Sequence, residues 1–100
     1  MAPGIGSGTA YPEIVSFKAT PRVINLGYSS VLSWETRGTI SLAMEWTPER
    51  APRGNMQRVT GLPPSGTMTV QPKEDTVYVL VCETPNGSAC ASMSVTVLVR

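Results

Sequence analysis

The chain has 100 residues, which is enough for one domain core and too few for two. Only 15% of the residues are charged and the formal net charge is +1, so no global charge attracts nucleic acid or an anionic membrane. Nine Gly and nine Pro favour short strands joined by turns. No apolar run approaches the ~20 residues of a membrane-spanning helix.

The first twelve residues are rich in Gly, Ser, Ala and Pro and offer little to bury. They lack the basic and apolar regions of a signal peptide. The sequence therefore predicts a flexible arm or linker over residues 1–12, followed by one folded domain over residues 13–100. We expect a fragment of a larger protein.

From residue 13 onward, apolar and polar residues alternate in short blocks separated by turn residues, as in half-buried strands. The predicted strands are 13–20, 22–25, 29–36, 39–46, 55–60, 66–70, 76–83 and 89–99. Residues 47–64 are rich in Pro and Arg and predict a long loop with at most one short edge strand. Seven or eight antiparallel strands with frequent turns predict an all-β sandwich of the immunoglobulin or fibronectin type III kind.

The last two strands should form a hairpin, because Pro85-Asn86-Gly87-Ser88 is a strong turn signal. A turn centred on Asn86-Gly87 places Leu80 opposite Met93 and Tyr78 opposite Val95, so that both apolar faces coincide. Together with the other inward-facing positions, this register predicts a core that includes Phe17, Leu32, Trp34, Leu42, Tyr78, Leu80, Met93 and Val95.

The order of these motifs resembles a known family, the bacterial immunoglobulin-like modules found in extracellular enzymes and surface proteins. The first half of the resemblance is carried by Pro12-Glu13-Ile14-Val15-Ser16-Phe17-Lys18-Ala19-Thr20-Pro21, Ile24, Gly27 and Ser29-Ser30-Val31-Leu32-Ser33-Trp34. The second half is carried by Val70-Gln71-Pro72, Thr76, Tyr78, Leu80 and Ser94-Val95-Thr96-Val97. The resemblance spans residues 12–99 and implies an immunoglobulin-like fold and a core position for Trp34.

Two features depart from the family pattern. Residues 47–64 are longer and richer in Pro and Arg than the usual connection. Some members pair a Cys at the position of Cys82 with one in the third or fourth strand, where this chain has none. That family disulfide is therefore not carried over.

Catalytic and metal chemistry are not predicted. The chain has no His, the commonest general base and metal ligand, and its only Asp is Asp75. One adjacent acid, Glu74, does not make a calcium cage, so we expect a turn role for Asp75, with Tyr78 available to bond the backbone at a corner. No catalytic, cofactor-binding or metal-binding residue is assigned.

Cys82 and Cys90 flank the predicted hairpin turn and leave two alternatives. A turn centred on Asn86-Gly87 places Cys82 opposite Ala91 and on the other face from Cys90. A three-residue turn at Pro85-Asn86-Gly87 places Cys82 directly opposite Cys90, with a bulge farther along the strand. The second geometry permits a disulfide, which we expect in an exported protein.

A binding surface is an alternative use of the 47–64 loop. Trp46 enters this loop beside Arg50, Arg53 and Arg58, a combination that could contact carbohydrate or a protein partner. The competing interpretation is that Trp46 closes the end of the sandwich. The Arg residues are balanced by acids, and we predict no nucleic-acid partner.

These patterns lead to a non-catalytic structural spacer or adhesion module of a secreted or cell-surface bacterial protein. Its partners would be the neighbouring domains of the parent chain, and a monomer without membrane insertion is expected. One alternative is a carbohydrate- or protein-binding module centred on Trp46 and residues 47–64. Another is an assembly subunit of a filament or virion that uses the N-terminal arm or an edge strand.

Overall fold

The computed structural model describes residues 13–38, 41–48, 56–83 and 89–100, except for the side chains at positions 48, 83, 89, 90 and 91. The predicted arm over residues 1–12 and the tip of the predicted hairpin lie outside these ranges. Within them the chain forms strands and no helix: β1 Glu13–Thr20, β2 Val23–Ile24, β3 Ser30–Arg37, β4 Ser41–Pro48, β5 Gln57–Thr60, β6 Ser65–Val70, β7 Thr76–Glu83 and β8 Ala89–Val99.

The strands form two sheets that face each other across one core. The smaller sheet has the order β1-β3-β6, and the larger sheet has the order β2-β8-β7-β4-β5. The chain therefore is all-β and sandwich-like, as the alternating pattern predicted. Leu32, from the smaller sheet, is fully buried with Met44 and Leu80, from the larger one, because period-two alternation directs these side chains to the same interior.

Most of the predicted core residues are buried in this interior. Phe17, Leu32, Trp34, Leu42, Tyr78 and Leu80 belong to the buried cluster, and Val95 is half-buried against it. Trp34 is held in place by its indole N–H, which donates to the Pro63 carbonyl over 3.0 Å. Its ring lies so close to Gly66 that a Cβ at that position would come within 3.3 Å of it.

Met93 differs from the core prediction. It lies opposite Leu80 in the predicted register, yet it is 39% exposed. The cause is its place in the sheet: among the described residues, the outer side of β8 pairs only with β2, at Leu98 and Val99. At Met93 the strand is an edge, and an edge position leaves more of a side chain in water.

The sheets are not wholly antiparallel, which corrects a second part of the prediction. β2 pairs with β8 in parallel, Val23 with Leu98 and Ile24 with Val99. The N-terminal segment pairs first with β3 as β1 and then, after Pro21, with β8 as β2. Alternation within a segment shows that it is a strand but does not show which distant strand it joins or in which direction.

The two ends of the folded part lie at opposite ends of the sandwich. Glu13 pairs with Arg37 at the end of β3. The chain continues from there to Ser41, which pairs with Glu83, so these four residues mark one pole of the sandwich. At the other end, the Arg100 amide donates to the Ile24 carbonyl over 2.9 Å, and the Leu26 amide donates to the Arg100 carbonyl over 3.1 Å. The chain thus runs from one pole of a body of 54 × 27 × 16 Å to the other.

Candidate functional site

A groove at the Arg100 pole has both apolar and polar walls. Its volume is about 670 Å³, within the ~300–1,000 Å³ range typical of ligand pockets. It opens between the edge strand β6 and the pair β4 and β7. Its lining residues are Trp46, Met68, Thr69, Val70, Gln71, Pro72, Lys73, Glu74, Thr76 and Tyr78.

The apolar floor of this groove is an aromatic pair. Trp46 of β4 and Tyr78 of β7 are directly opposed in the β4–β7 register. Their ring centroids are 5.8 Å apart and the rings are tilted by 39°, within the range of favourable aromatic contacts. Trp46 is half-buried and packs on the core, whereas Tyr78 is only 3% exposed.

The Tyr78 hydroxyl is buried without a hydrogen-bond partner in the described part of the chain. The corner bond expected from the sequence is therefore not formed there. Desolvation by burial raises the pKa of Tyr78 from 10.0 to about 12. The phenol accordingly remains a neutral hydrogen-bond donor throughout the physiological pH range.

The polar wall of the groove follows β6 and leads into β7. Gln71 donates to the Gly27 carbonyl, which ties the start of this connection to the loop after β2. The Thr76 hydroxyl donates to the Glu74 carbonyl over 2.7 Å, which fixes the other end. Lys73 lies between these two anchors and is exposed.

Asp75 has the turn role that the sequence predicted. Its carboxylate accepts a hydrogen bond of 2.8 Å from the Val99 amide and lies 3.3 Å from the Arg100 guanidinium. It therefore fastens the end of β8 to the turn before β7. Among the described residues, no group of three or more His, Cys, Asp or Glu lies close enough together to hold a metal ion.

The residues of the predicted binding surface are not all brought together. Arg58 pairs with Glu45 across the β4–β5 ladder and forms an ion pair with it. Glu45 and Trp46 are consecutive in β4, so their side chains alternate between the two faces of the sheet, and Trp46 faces the groove. Arg50 and Arg53 lie outside the described residues.

The polar wall of the groove was not predicted from the sequence. Residues 73–76 indicated only a turn, and Gln71 and Pro72 were used only as part of the family resemblance. The available signal was the direct opposition of Trp46 and Tyr78, which follows once β4 and β7 are aligned with Leu42 opposite Cys82.

The two cysteines are separated in register by one bulge. Cys82 is fully buried and pairs with Ala91, whereas Glu83 pairs with Ala89, so Cys90 is the extra residue of β8. From Thr76 to Cys82, the strands pair in the register predicted for a turn centred on Asn86-Gly87. Beyond Cys82 the register shifts by one residue, because Cys90 is bulged out of the pairing. The side chain of Cys90 lies outside the described residues, and the disulfide stays a prediction.

Comparison with protein-family models, with curated proteins and with solved structures finds no match for this chain. No helix in the described ranges is long and apolar enough to cross a membrane.

Proposed function

We propose that this chain is a non-catalytic, immunoglobulin-like module that acts as a structural spacer or adhesion element of a secreted or cell-surface bacterial protein. The single observation that carries the spacer role is the position of Glu13 and Arg100 at opposite poles. A module of this kind adds its own length to whatever is joined at its two ends.

The strand arrangement supports the immunoglobulin-like part of the proposal. In such domains the first, second, fourth and fifth strands share one sheet, while the third, sixth and seventh share the other. Here β1, β3 and β6 correspond to the first, second and fifth strands, and β4, β7 and β8 correspond to the third, sixth and seventh. The described residues contain no counterpart of the fourth strand. β5 then corresponds to an added edge strand next to β4, and β2 to a continuation of the first strand.

The contacts at the Arg100 pole support a rigid spacer. The Leu98 amide donates to the Arg22 carbonyl over 2.8 Å, and the two Arg100 backbone bonds continue this ladder to Leu26. The Asp75 carboxylate binds the Val99 amide from the other side. The last residues of β8 are therefore hydrogen-bonded on both sides, so that a force applied at Arg100 acts on the whole sandwich.

The proposal includes an exported location and a disulfide between Cys82 and Cys90. The location rests on the resemblance to extracellular modules, and the disulfide rests on the bulge that places Cys90 beside the Cys82–Ala91 pair. The expected partners are the neighbouring domains of the parent chain.

A tandem fusion tests the spacer role. Two copies of the full chain, joined from Arg100 of the first to Met1 of the second, should form an elongated particle in small-angle X-ray scattering. Its largest dimension should approach twice the 54 Å long axis of one copy, because the chain enters and leaves each copy at opposite poles.

The control is the single chain at the same concentration, which should scatter as a monomer. A tandem particle in which the two copies lie side by side, with a largest dimension close to that of one copy, would contradict the spacer role.

A further inference from the structure

The groove floored by Trp46 and Tyr78 has no use in a spacer. It lies at the Arg100 pole between β6 and the β4–β7 pair and does not include the chain ends themselves. An inert spacer gains stability by filling such a recess with side chains, since unfilled apolar walls lose packing contacts.

The buried hydroxyl of Tyr78 is the feature that most needs an explanation. A buried hydroxyl without a partner costs the free energy of its desolvation, and Phe would fill the same space without that cost. Within the described residues no acceptor or donor offsets this cost. A bound molecule with a hydroxyl of its own would supply both, because a phenol can donate and accept.

The shape and chemistry of the groove favour one class of ligand. Trp46 offers a half-buried aromatic surface of the kind that packs against the C–H face of a sugar ring. The wall above it carries one cation, Lys73, and one anion, Glu74, so the groove has no net charge to select a charged ligand. The groove is partly open to solvent rather than enclosed, so it can admit one part of a chain of sugar rings while the rest extends outside.

From these observations we propose that the groove lined by Trp46, Tyr78, Gln71 and Lys73 binds a neutral oligosaccharide, with one sugar ring on Trp46 and one sugar hydroxyl bonded to Tyr78. This site differs from the surface of Trp46 and Arg residues that the sequence suggested, because Arg58 is paired with Glu45 and does not line the groove. The inference does not depend on the spacer role.

The test titrates the full ¹⁵N-labelled chain with uncharged β-1,4-linked tetrasaccharides of glucose, of xylose and of N-acetylglucosamine, followed by NMR. At least one of the three should shift the amide signals of residues 69–76 and the indole signal of Trp46, while the indole signal of the buried Trp34 stays unchanged. The Tyr78→Phe variant should bind that tetrasaccharide about 3- to 10-fold more weakly, the usual effect of one lost hydrogen bond.

Tyr28→Phe is the matched control, since it removes the same hydroxyl from a tyrosine that is 65% exposed and does not line the groove. It should bind as the unaltered chain does. The proposal is overturned if none of the three tetrasaccharides shifts the groove signals, or if Tyr78→Phe binds as tightly as Tyr28→Phe. A proline-rich peptide that shifts the same signals when no tetrasaccharide does would also overturn it, in favour of a peptide groove.

Discussion

Tyr78 contributes its ring to the core and its hydroxyl to the proposed binding groove, and stability alone would favour Phe at this position. Its ring belongs to the core, where it packs on Trp46, and its hydroxyl is desolvated there without a partner in the described part of the chain. The sequence placed Tyr78 in the core because it alternates correctly with Leu80 and Cys82. It did not indicate the state of the hydroxyl, which depends on the groups that surround it in the folded chain.

Replacement of Tyr78 by Phe should therefore stabilise the ligand-free chain. The change keeps the ring and removes a desolvated hydroxyl, so the free energy of unfolding should rise by about 1 kcal/mol. Urea unfolding followed by circular dichroism measures this change. Tyr28→Phe, at an exposed position, should alter the same free energy by less than about 0.5 kcal/mol. A loss of stability in Tyr78→Phe would mean that the hydroxyl has a partner after all.

The same residue predicts a dependence of stability on alkaline pH. Burial raises the pKa of Tyr78 in the folded chain from 10.0 to about 12, so the folded state holds its proton more tightly than the unfolded state. This contribution is fully present below about pH 10 and is lost as the pH rises from about 10 to about 12. The urea concentration at the unfolding midpoint should decrease between about pH 8 and about pH 11.5, and this decrease should be larger for the unaltered chain than for Tyr78→Phe. Equal decreases would contradict the raised pKa.

At the scale of elements, the sequence was most informative about local pairing. The β7–β8 register, with Leu80 opposite Met93 and Tyr78 opposite Val95, followed from the turn signal and the two apolar faces. The parallel pairing of β2 with β8 did not follow, because two short blocks about seventy residues apart carry no mutual register signal. Met93 shows the same limit: its face was predicted, but its exposure also reflects that no strand of the described ranges pairs with the outer side of β8 at that level.

The bulge at Cys90 makes the proposed disulfide testable at this scale. A bond between Cys82 and Cys90 closes a short loop and should contribute about 2–3 kcal/mol to the free energy of unfolding. Reduction of the unaltered chain should lower its stability by that amount, and Cys90→Ser should lower it equally. Urea unfolding with and without a phosphine reductant measures both effects.

The reductant should have no further effect on Cys90→Ser, which serves as the internal control. If alkylation of the denatured but unreduced chain modifies both cysteines, the two thiols are free and the disulfide is absent.

At the scale of the whole molecule, strand polarity places Glu13 and Arg100 at opposite poles of the sandwich. The N-terminal segment pairs with β3 from Glu13 to Thr20 and then runs parallel to the end of β8. The chain therefore enters at one pole and leaves at the other. The sequence predicted a spacer from the lack of catalytic residues and from the family resemblance. The structure adds the positions of Glu13 and Arg100 at opposite poles, on which the proposed role rests.

The distance between the two ends tests this account most directly. Spin labels attached through non-natural amino acids at positions 13 and 100 leave both cysteines intact. Pulsed electron–electron double resonance then measures the distance between the two labels. The eight residues of β1 alone span roughly 25 Å at about 3.3 Å per residue, so the separation should be at least this large and narrowly distributed. A separation below about 15 Å, less than the span of five strand residues, would place the ends at the same pole and contradict the spacer role.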